Sequence, residues 1–347
     1  MTIYIPQINF LNPNRKSLFI LTRPFYTEHG WKNDENVKKR WQVSDDFRYT
    51  SNLEEADVLF IPNPINTYSK QELNSLNELC IALNIQGYGY VSGDFGKQYP
   101  EFSHLIYFRM GGFKSQLSIK NQGFPVAISD YCQNNTIELR EMQKQPVIGF
   151  CGHAQLSYWK ALKKQLVFIK ENVLRFLNNT LRKDYEPLFS SGFQRAKLLQ
   201  KFEQSPFVKT NFIYRKQYRA GAITPSERQK TTQEYFENIK NSDYVLCVRG
   251  GGNFSVRLYE TLMMGRIPIF VNTDCLLPFE GNIDWKKHVV WVEWSDRNHI
   301  PEIVVEFHNK LSNGMFKELQ QANRILWKET LSVNNMLKLL KSNNKVE

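Results

Sequence analysis

One segment in the last third of the sequence combines glycine, arginine and asparagine in a pattern that suits the binding of an anion. An apolar run that reads as a strand leads into a short loop and then into a predicted helix that ends at Gly265. The loop consists of Arg249, Gly250, Gly251, Gly252 and Asn253. Glycines let a backbone turn tightly and approach a ligand closely, and the first N–H groups of a helix attract anions together with the helix dipole. The loop therefore predicts a phosphate site at the start of the helix.

Three side chains of the predicted helix extend the phosphate site toward a nucleotide. Ser255 stands at the N-cap position, where its hydroxyl can cap the helix. Arg257, in the first turn, adds bidentate donors to those of Arg249, and such donors suit phosphate. Glu260 follows three residues later on the same helical face and can reach a sugar hydroxyl. The pattern predicts a nucleoside-diphosphate site; the alternative is a packing turn followed by an ion pair between Arg257 and Glu260.

Motifs of other common enzyme classes are missing from the sequence. It contains no G-x-G-x-x-G, G-x-x-x-x-G-K-[ST], G-x-S-x-G, H-E-x-x-H or D-x-D. A dehydrogenase, a P-loop enzyme, a hydrolase and a zinc peptidase are therefore disfavoured. The 5 cysteines are widely spaced without a C-x-x-C pair, so we expect no disulfide framework, no metal site and a reducing, cytoplasmic environment.

Strand-like and helical segments alternate along the whole chain, which is typical of parallel sheets covered by helices. The polar stretch Glu138–Gln145 predicts a boundary between an N-terminal domain, 1–145, and a C-terminal domain, 146–347. Two such domains facing each other across a cleft would bind a ligand at the carboxyl ends of their strands. A last helix at about 315–340 could pack back toward the N-terminal domain. The predicted strands are Ser17–Leu21, Asp57–Ile61, Tyr88–Val91, Leu105–Phe108, Val126–Ile128, Val147–Cys151, Asn211–Tyr214, Tyr244–Val248, Ile267–Val271 and Val289–Val292.

The net charge of +11 is concentrated in the middle of the chain. Residues 146–242 carry 17 basic and 7 acidic side chains, whereas the segments on either side are close to neutral. Much of this excess lies on a predicted helix, Tyr158–Lys183. We expect its apolar stripe to pack in the core and its basic face to be solvated; the basic face could instead contact an anionic membrane surface. The stripe consists of Trp159, Leu162, Leu166, Ile169, Val173, Phe176 and Thr180.

The run from Asn241 to Trp285 resembles the signature of exostosin-like proteins, glycosyltransferase family 47. Its ordered elements stand here as Val248-Arg249-Gly250, Ser255-Val256-Arg257-Leu258-Tyr259-Glu260, Gly265-Arg266-Ile267-Pro268-Ile269, Leu277-Pro278-Phe279 and Ile283-Asp284-Trp285. Ala56–Pro62 and the turn Ser92–Gly96 are similar to further family elements. Val248 and Arg266 differ from a common proline and cysteine. The first 22 residues show no signal peptide or membrane span, so the chain looks like a bacterial or viral relative without a membrane anchor.

The resemblance implies a GT-B architecture, two Rossmann-like domains across a cleft, and an inverting, metal-independent glycosyltransferase. Its donor would be a nucleotide sugar, expected to be a UDP-sugar, and its acceptor a glycan that could be lipid-linked; no cofactor is required. The resemblance carries over Arg249 and Arg257 as diphosphate ligands and Glu260 as the ribose ligand. We expect a cytoplasmic protein with at most peripheral contact at the inner face of a membrane.

Transfer also needs a base that takes the proton of the acceptor hydroxyl. Asp94, in the N-terminal domain, is the best-placed carboxylate after a predicted strand, although Gly93–Gly96 also has the composition of a plain turn. Glu28 and His29 are the other candidates. Three more residues could contact an anion in the cleft or be ordinary structural or surface residues: Arg109, His153 and Arg215.

Two functions of other classes stay open on the sequence alone. The basic central stretch fits a nucleic-acid-binding protein, although no recognition helix or stacking motif supports one, and we expect no nucleic-acid partner. The uncertain base fits a catalytically inactive relative that only binds a nucleotide or a glycan.

Overall fold

The structure is a computed structural model that describes residues 1–7, 17–93, 96–132, 136–178 and 190–343. Within these ranges the chain forms two parallel β-sheets, one in each half of the sequence. Strands of each sheet place alternate side chains into two different apolar clusters, so both faces of both sheets are covered. The predicted α/β class is confirmed.

The N-terminal half is built around a six-stranded sheet whose order is β4-β1-β5-β6-β7-β8, with every pairing parallel. The pair β2 and β3 forms a separate antiparallel hairpin. The strands are β1 (Thr2–Tyr4), β2 (Tyr26–Thr27), β3 (Gly30–Trp31), β4 (Arg48–Thr50), β5 (Val58–Phe60), β6 (Gln86–Tyr90), β7 (Leu105–Arg109) and β8 (Asn121–Gly123). The helices are α1 (Glu35–Arg40) and α2 (Lys70–Ala82), and α2 begins with a capping box of Ser69 and Glu72.

The C-terminal half contains a five-stranded parallel sheet in the order β10-β9-β11-β12-β13. Its strands are β9 (Val147–His153), β10 (Lys209–Arg215), β11 (Tyr244–Cys247), β12 (Ile267–Asn272) and β13 (Val290–Glu293). Its helices are α3 (Tyr158–Leu177), α4 (Ser191–Gln204), α5 (Pro225–Lys240), α6 (Val256–Met263), α7 (Ile300–Asn309), α8 (Asn313–Ile325) and α9 (Val333–Asn343).

Two strand predictions are wrong. Residues Ile20–Phe25 form a 3₁₀-helix where the first strand was expected, and Pro24 within it has no N–H to donate to a sheet. The first strand is instead β1, which is too short to give a clear alternating pattern. Val126 and Ile128 are not in a strand; they pack as single side chains on the apolar cluster below α6.

The end of the chain returns to the N-terminal sheet. The predicted last helix is divided into α8, a π-helical turn at Leu326–Thr330, and α9. From α9, Met336 and Leu337 are buried in the cluster that contains Ile3 and Phe19. The C-terminal helix therefore contributes to the core of the N-terminal half.

The prediction that the stripe of α3 packs in the core is wrong. Trp159 is 82% exposed, Leu166 59% and Phe176 61%. Only a narrow side of the helix, around the buried Ala161, is turned toward the rest of the domain. Thr180, the last residue of the predicted stripe, lies outside the described residues. In the parts of the chain that the structure describes, no helix has the length and apolar character needed to cross a bilayer.

The two halves meet beside the strand ends through short polar contacts. The side-chain amide of Asn253 donates to the carbonyl of Gly112 at 2.9 Å. The hydroxyl of Ser115 donates to Asp274 at 2.6 Å, and Gly123 forms a bridge with Pro278. These contacts join the loop after β7 and the end of β8 to the segment that follows β12.

Candidate active site

A cleft of about 1040 Å³ opens at the carboxyl ends of β9 and β11. The chain passes from β9 to β10 on one side and then to β11 on the other, so the strand order reverses between β9 and β11. Crevices at such reversal points are where doubly wound sheets bind ligands. Its lining from the predicted sites includes His153, Arg215, Gly250, Gly251, Gly252, Ser255, Arg257 and Glu260.

The glycine-rich loop folds back on itself before α6. The N–H of Gly250 donates to the carbonyl of Phe254 at 3.2 Å, which closes the turn. Ser255 is at the N-cap of α6, as predicted, but its side chain makes no capping hydrogen bond and lines the cleft instead. Ser255 thus borders the space where a ligand would lie.

Gly251 is not explained by the conformation of the loop. Its φ lies outside the left-handed region, and a Cβ placed on it would meet no atom within 4 Å. An alanine could therefore occupy this position in the free protein. Because the residue is exposed and lines the cleft, the missing side chain leaves room for a ligand to approach the backbone.

Arg249 and Asn253 are buried and do not line the cleft. The Nη2 of Arg249 donates to the carbonyl of Gly251 at 2.9 Å, and the guanidinium lies 5.4 Å from the ring centre of Phe113. The amide of Asn253 donates to Thr273 as well as to the other half of the chain. Both side chains shape the loop in this structure, whereas the sequence predicted them as direct ligands of the nucleotide.

Arg257 is held rigidly at the floor of the cleft. Its Nη2 donates to the carbonyl of Cys151 at 2.9 Å, and its guanidinium lies 4.3 Å from the ring centre of Phe150. A Cβ on Gly152 would be 2.9 Å from the same Nη2, so the glycine makes room for the guanidinium. The Nε of Arg257 has no hydrogen-bond partner among the described residues.

Glu260 is oriented by a residue that the sequence analysis did not identify as part of the site. The hydroxyl group of Tyr235, on α5, donates a hydrogen bond to Oε2 of Glu260, with 2.5 Å between the two oxygens. Burial raises the pKa of Tyr235 well above its usual range, partly opposed by Arg257, so the phenol stays protonated. Both residues line the cleft, and the carboxylate of Glu260 therefore has a defined position there.

Arg195 is a second cationic residue of the site, and the sequence analysis missed it. It lies on α4, and its Nη2 donates to the carbonyl of Arg249 at 3.0 Å. Its Nε has no partner within the described ranges. Burial and the nearby charge of Arg257 lower its pKa to about 10, so it stays cationic at neutral pH. No motif marks Arg195, because its place in the site depends on the packing of α4 beside the loop.

The three predicted additional anion contacts have different positions. His153 lines the cleft, and burial together with Lys164, Arg195 and Lys160 lowers its pKa. Arg215 also lines the cleft but forms an ion pair with Glu234 at 2.6 Å. Arg109 is buried in the N-terminal half, where its Nη1 donates to Asn121 at 3.0 Å, and it does not reach the cleft.

None of the predicted base candidates is among the described residues that line the cleft. Asp94 lies outside the described residues. Glu28 and His29 stand together at the exposed turn of the β2–β3 hairpin, 3.4 Å apart, and neither lines the cleft. Within the described ranges, no group of three or more His, Cys, Asp or Glu side chains is arranged to hold a metal ion.

Comparison with known proteins identifies a family. The sequence profile of the Exostosin GT47 domain matches residues 124–307, just over half of the chain. The chain is 30% identical over 100 residues to exostosin-1 of Drosophila melanogaster, a match that covers 29% of this chain and 13% of the fly protein. It is 34% identical over 91 residues to the exostosin-1 homolog of Caenorhabditis elegans, covering 26% and 23%. A probable beta-1,4-xylosyltransferase of Arabidopsis thaliana is 28% identical over 92 residues, covering 24% and 22%.

The chain thus spans less than a quarter of the length of each of these relatives. Among solved structures, TarM of S. aureus aligns with 89% of this chain and 57% of its own at 9% identity, with a TM-score of 0.37. The fold assignment rests instead on the two doubly wound parallel sheets beside a cleft, which are the GT-B arrangement. The profile match includes the loop and the helix that carry Arg257 and Glu260. The chain belongs to the exostosin GT47 family of glycosyltransferases.

Proposed function

We propose that this protein transfers a sugar from a nucleotide sugar, a UDP-sugar, to a hydroxyl of a glycan, with inversion and without a bound metal ion. The observation that carries the proposal is the convergence of Arg195, Arg257 and Glu260 on one cleft at the reversal of strand order. Two cations beside a carboxylate match the order of groups in a nucleoside diphosphate, with phosphates at one end and a ribose next to them.

The diphosphate would lie against the start of α6. Arg195 and Arg257 both line the cleft there, and both are held by carbonyl contacts that leave little freedom to lose on binding. Fixed guanidinium groups and the dipole of α6 can stabilise the negative charge that develops on a departing diphosphate. In this arrangement the protein supplies the positive charge that a metal ion supplies in other enzymes.

The ribose would lie against Glu260, whose carboxylate is oriented by Tyr235 and can accept a hydrogen bond from a ribose hydroxyl. That the base of the nucleotide is uracil is proposed from membership of the family. Relatives named as xylosyl- and glucuronosyltransferases point to a pentose or a uronic acid as the type of sugar.

The reaction needs one base and one leaving group. The acceptor hydroxyl oxygen would attack the anomeric carbon, the bond from that carbon to the β-phosphate oxygen would break, and a base would take the hydroxyl proton. We propose Asp94 as that base, with the N-terminal domain, 1–145, on the acceptor side and residues 146–347 on the donor side. Turnover that survives in Asp94→Asn would eliminate Asp94 from this role.

The first experiment is a thermal-shift titration with nucleoside diphosphates, with and without Mg²⁺. We expect UDP to raise the melting temperature without Mg²⁺. Arg257→Ala and Glu260→Gln should each weaken UDP binding about 10- to 100-fold, because a charged hydrogen bond is worth about 1.5–3 kcal/mol. The absence of stabilisation by any nucleoside diphosphate would refute the proposal.

The second experiment measures turnover with a panel of UDP-sugars and glycan acceptors in the presence of EDTA. Release of UDP with a product of opposite anomeric configuration, read by NMR, is the expected result. UDP binding without turnover on any pair would favour an inactive relative. Affinity for nucleic acid that falls steeply with salt and survives Arg257→Ala would favour a nucleic-acid-binding protein instead.

A further inference from the structure

The exposed side of α3 is a continuous apolar surface that the fold does not use. Its members recur at intervals of three and four residues and fall within an arc of about 100° around the helix. We call this surface the α3 stripe; it consists of Tyr158, Trp159, Leu162, Leu166, Ile169, Val173, Phe176 and Leu177, all of them exposed. A helix of this length places the stripe along about 30 Å of the protein surface.

Lysines border the stripe with almost no opposing charge. Lys163 and Lys170 lie along one edge of it. Further around the helix come the exposed apolar residues Val167 and Leu174 and then Lys160 and Lys164. Glu171 is the one acidic side chain of α3. A large apolar surface with aromatic residues and a lysine-rich border is the composition of helices that lie in the interface of a bilayer.

Two other occupants fit this pattern less well. The spacing also suits the seam of a coiled coil, but Lys163 and Lys170 occupy equivalent flanking positions and would meet lysines in an antiparallel pair of identical helices. In a parallel pair they would find no acidic partner, because the opposite flank carries Gln165 and Asn172. A surface of negative charge, by contrast, satisfies every lysine at once.

We propose that α3 binds in the plane of an anionic lipid bilayer, with the α3 stripe inserted among the acyl chains near the headgroups and its lysines at the lipid phosphates. The helix begins shortly after His153, at the end of the strand that borders the cleft, so binding would hold the cleft close to the membrane surface. Membrane binding by α3 does not depend on glycosyl transfer, and each can fail without the other.

The test is flotation of the purified protein with vesicles of phosphatidylcholine alone and with vesicles of phosphatidylcholine and phosphatidylglycerol at three to one. We expect binding to the mixed vesicles and little binding to the neutral ones. Leu166→Glu should weaken binding about tenfold or more, because it removes the burial of one large apolar side chain and adds a negative charge. The double variant Lys163→Glu with Lys170→Glu should weaken vesicle binding at least ~5-fold for each lysine lost. This loss should be smaller at high salt, because salt screens the attraction between lysines and lipid phosphates.

Ile119→Glu is the matched control, since Ile119 is exposed in the N-terminal half and far from α3 in sequence. It should bind vesicles as the unchanged protein does. All variants alter exposed side chains outside the cleft, so equal melting temperatures and equal UDP responses would show that they fold. Binding that is unchanged in Leu166→Glu would overturn the proposal. So would a lipid-free dimer, seen by light scattering, that the same substitution dissociates, because the stripe would then be covered by a second copy.

Discussion

Tyr235 and Glu260 form a hydrogen bond of 2.5 Å that joins α5 to α6 at the wall of the cleft. The phenol is the donor, because burial keeps it protonated, and the carboxylate is the acceptor. Glu260 is thus held by a tyrosine from another helix, and it also interacts electrostatically with the cationic side chain of Arg257.

The first prediction concerns Tyr235→Phe. Loss of the hydroxyl leaves Glu260 without the hydrogen bond that orients it, and we expect UDP affinity to fall about tenfold or more, in line with one hydrogen bond to a charged group. Isothermal titration with UDP and with uridine measures the effect. Because Glu260 would contact the ribose, both ligands should lose affinity by a similar factor. A loss confined to UDP would contradict this assignment.

The second prediction concerns Arg195→Ala. Arg195 would contact the diphosphate, so the substitution should lower the affinity for UDP about tenfold or more and leave the affinity for uridine almost unchanged. The same titration gives the answer. Lys197→Ala, on the exposed side of the same helix, is the matched control and should change neither affinity. Equal losses for UDP and uridine would argue for a structural role of Arg195 in the position of the loop.

The third prediction compares two glycines. Gly251→Ala and Gly281→Ala each add a Cβ into open space, and neither glycine has a left-handed φ. Both variants should therefore melt within about a degree or two of the unchanged protein, since neither creates a clash. Only Gly251→Ala should weaken the binding of UDP, because the methyl group of the new alanine would stand where the phosphates approach the loop. Full UDP affinity in Gly251→Ala would show that the ligand does not come close at this point.

The fourth prediction concerns the buried Arg266. Its buried guanidinium donates to the carbonyls of Glu138 and Lys240, both at 2.9 Å, and to the side chain of Gln320 at 3.2 Å. Arg266→Ala removes these hydrogen bonds together with the packing of a buried side chain, and we expect the free energy of unfolding to fall by about 2–4 kcal/mol. Urea denaturation measures this change in the free energy of unfolding. Lys310→Ala, which removes an exposed ion pair with Glu306, should change it by less than about 0.5 kcal/mol.

Local patterns in the sequence predicted much of the fold. The helix α5 begins where Thr224, Pro225 and Glu227 predict it, because a capping box involves residues only three positions apart. The strands β11 and β12 are marked by continuous apolar runs, as expected for strands buried on both faces. The failures are short or edge elements, such as β1 and the 3₁₀-helix at Ile20–Phe25, where few residues carry the pattern.

The sequence by itself determined the α/β class, the family, and the loop and helix that place Arg257 and Glu260 on the cleft, because these depend on residues that are neighbours along the chain. Tertiary structure decided the rest of the site. In the folded chain, Arg249 and Asn253 make hydrogen bonds that stabilise the loop. Arg195 and Tyr235 reach the cleft from helices that are distant in sequence from the loop. Tertiary structure also decided that the apolar side of α3 is exposed, since periodicity shows that a helix has an apolar side but not what that side meets.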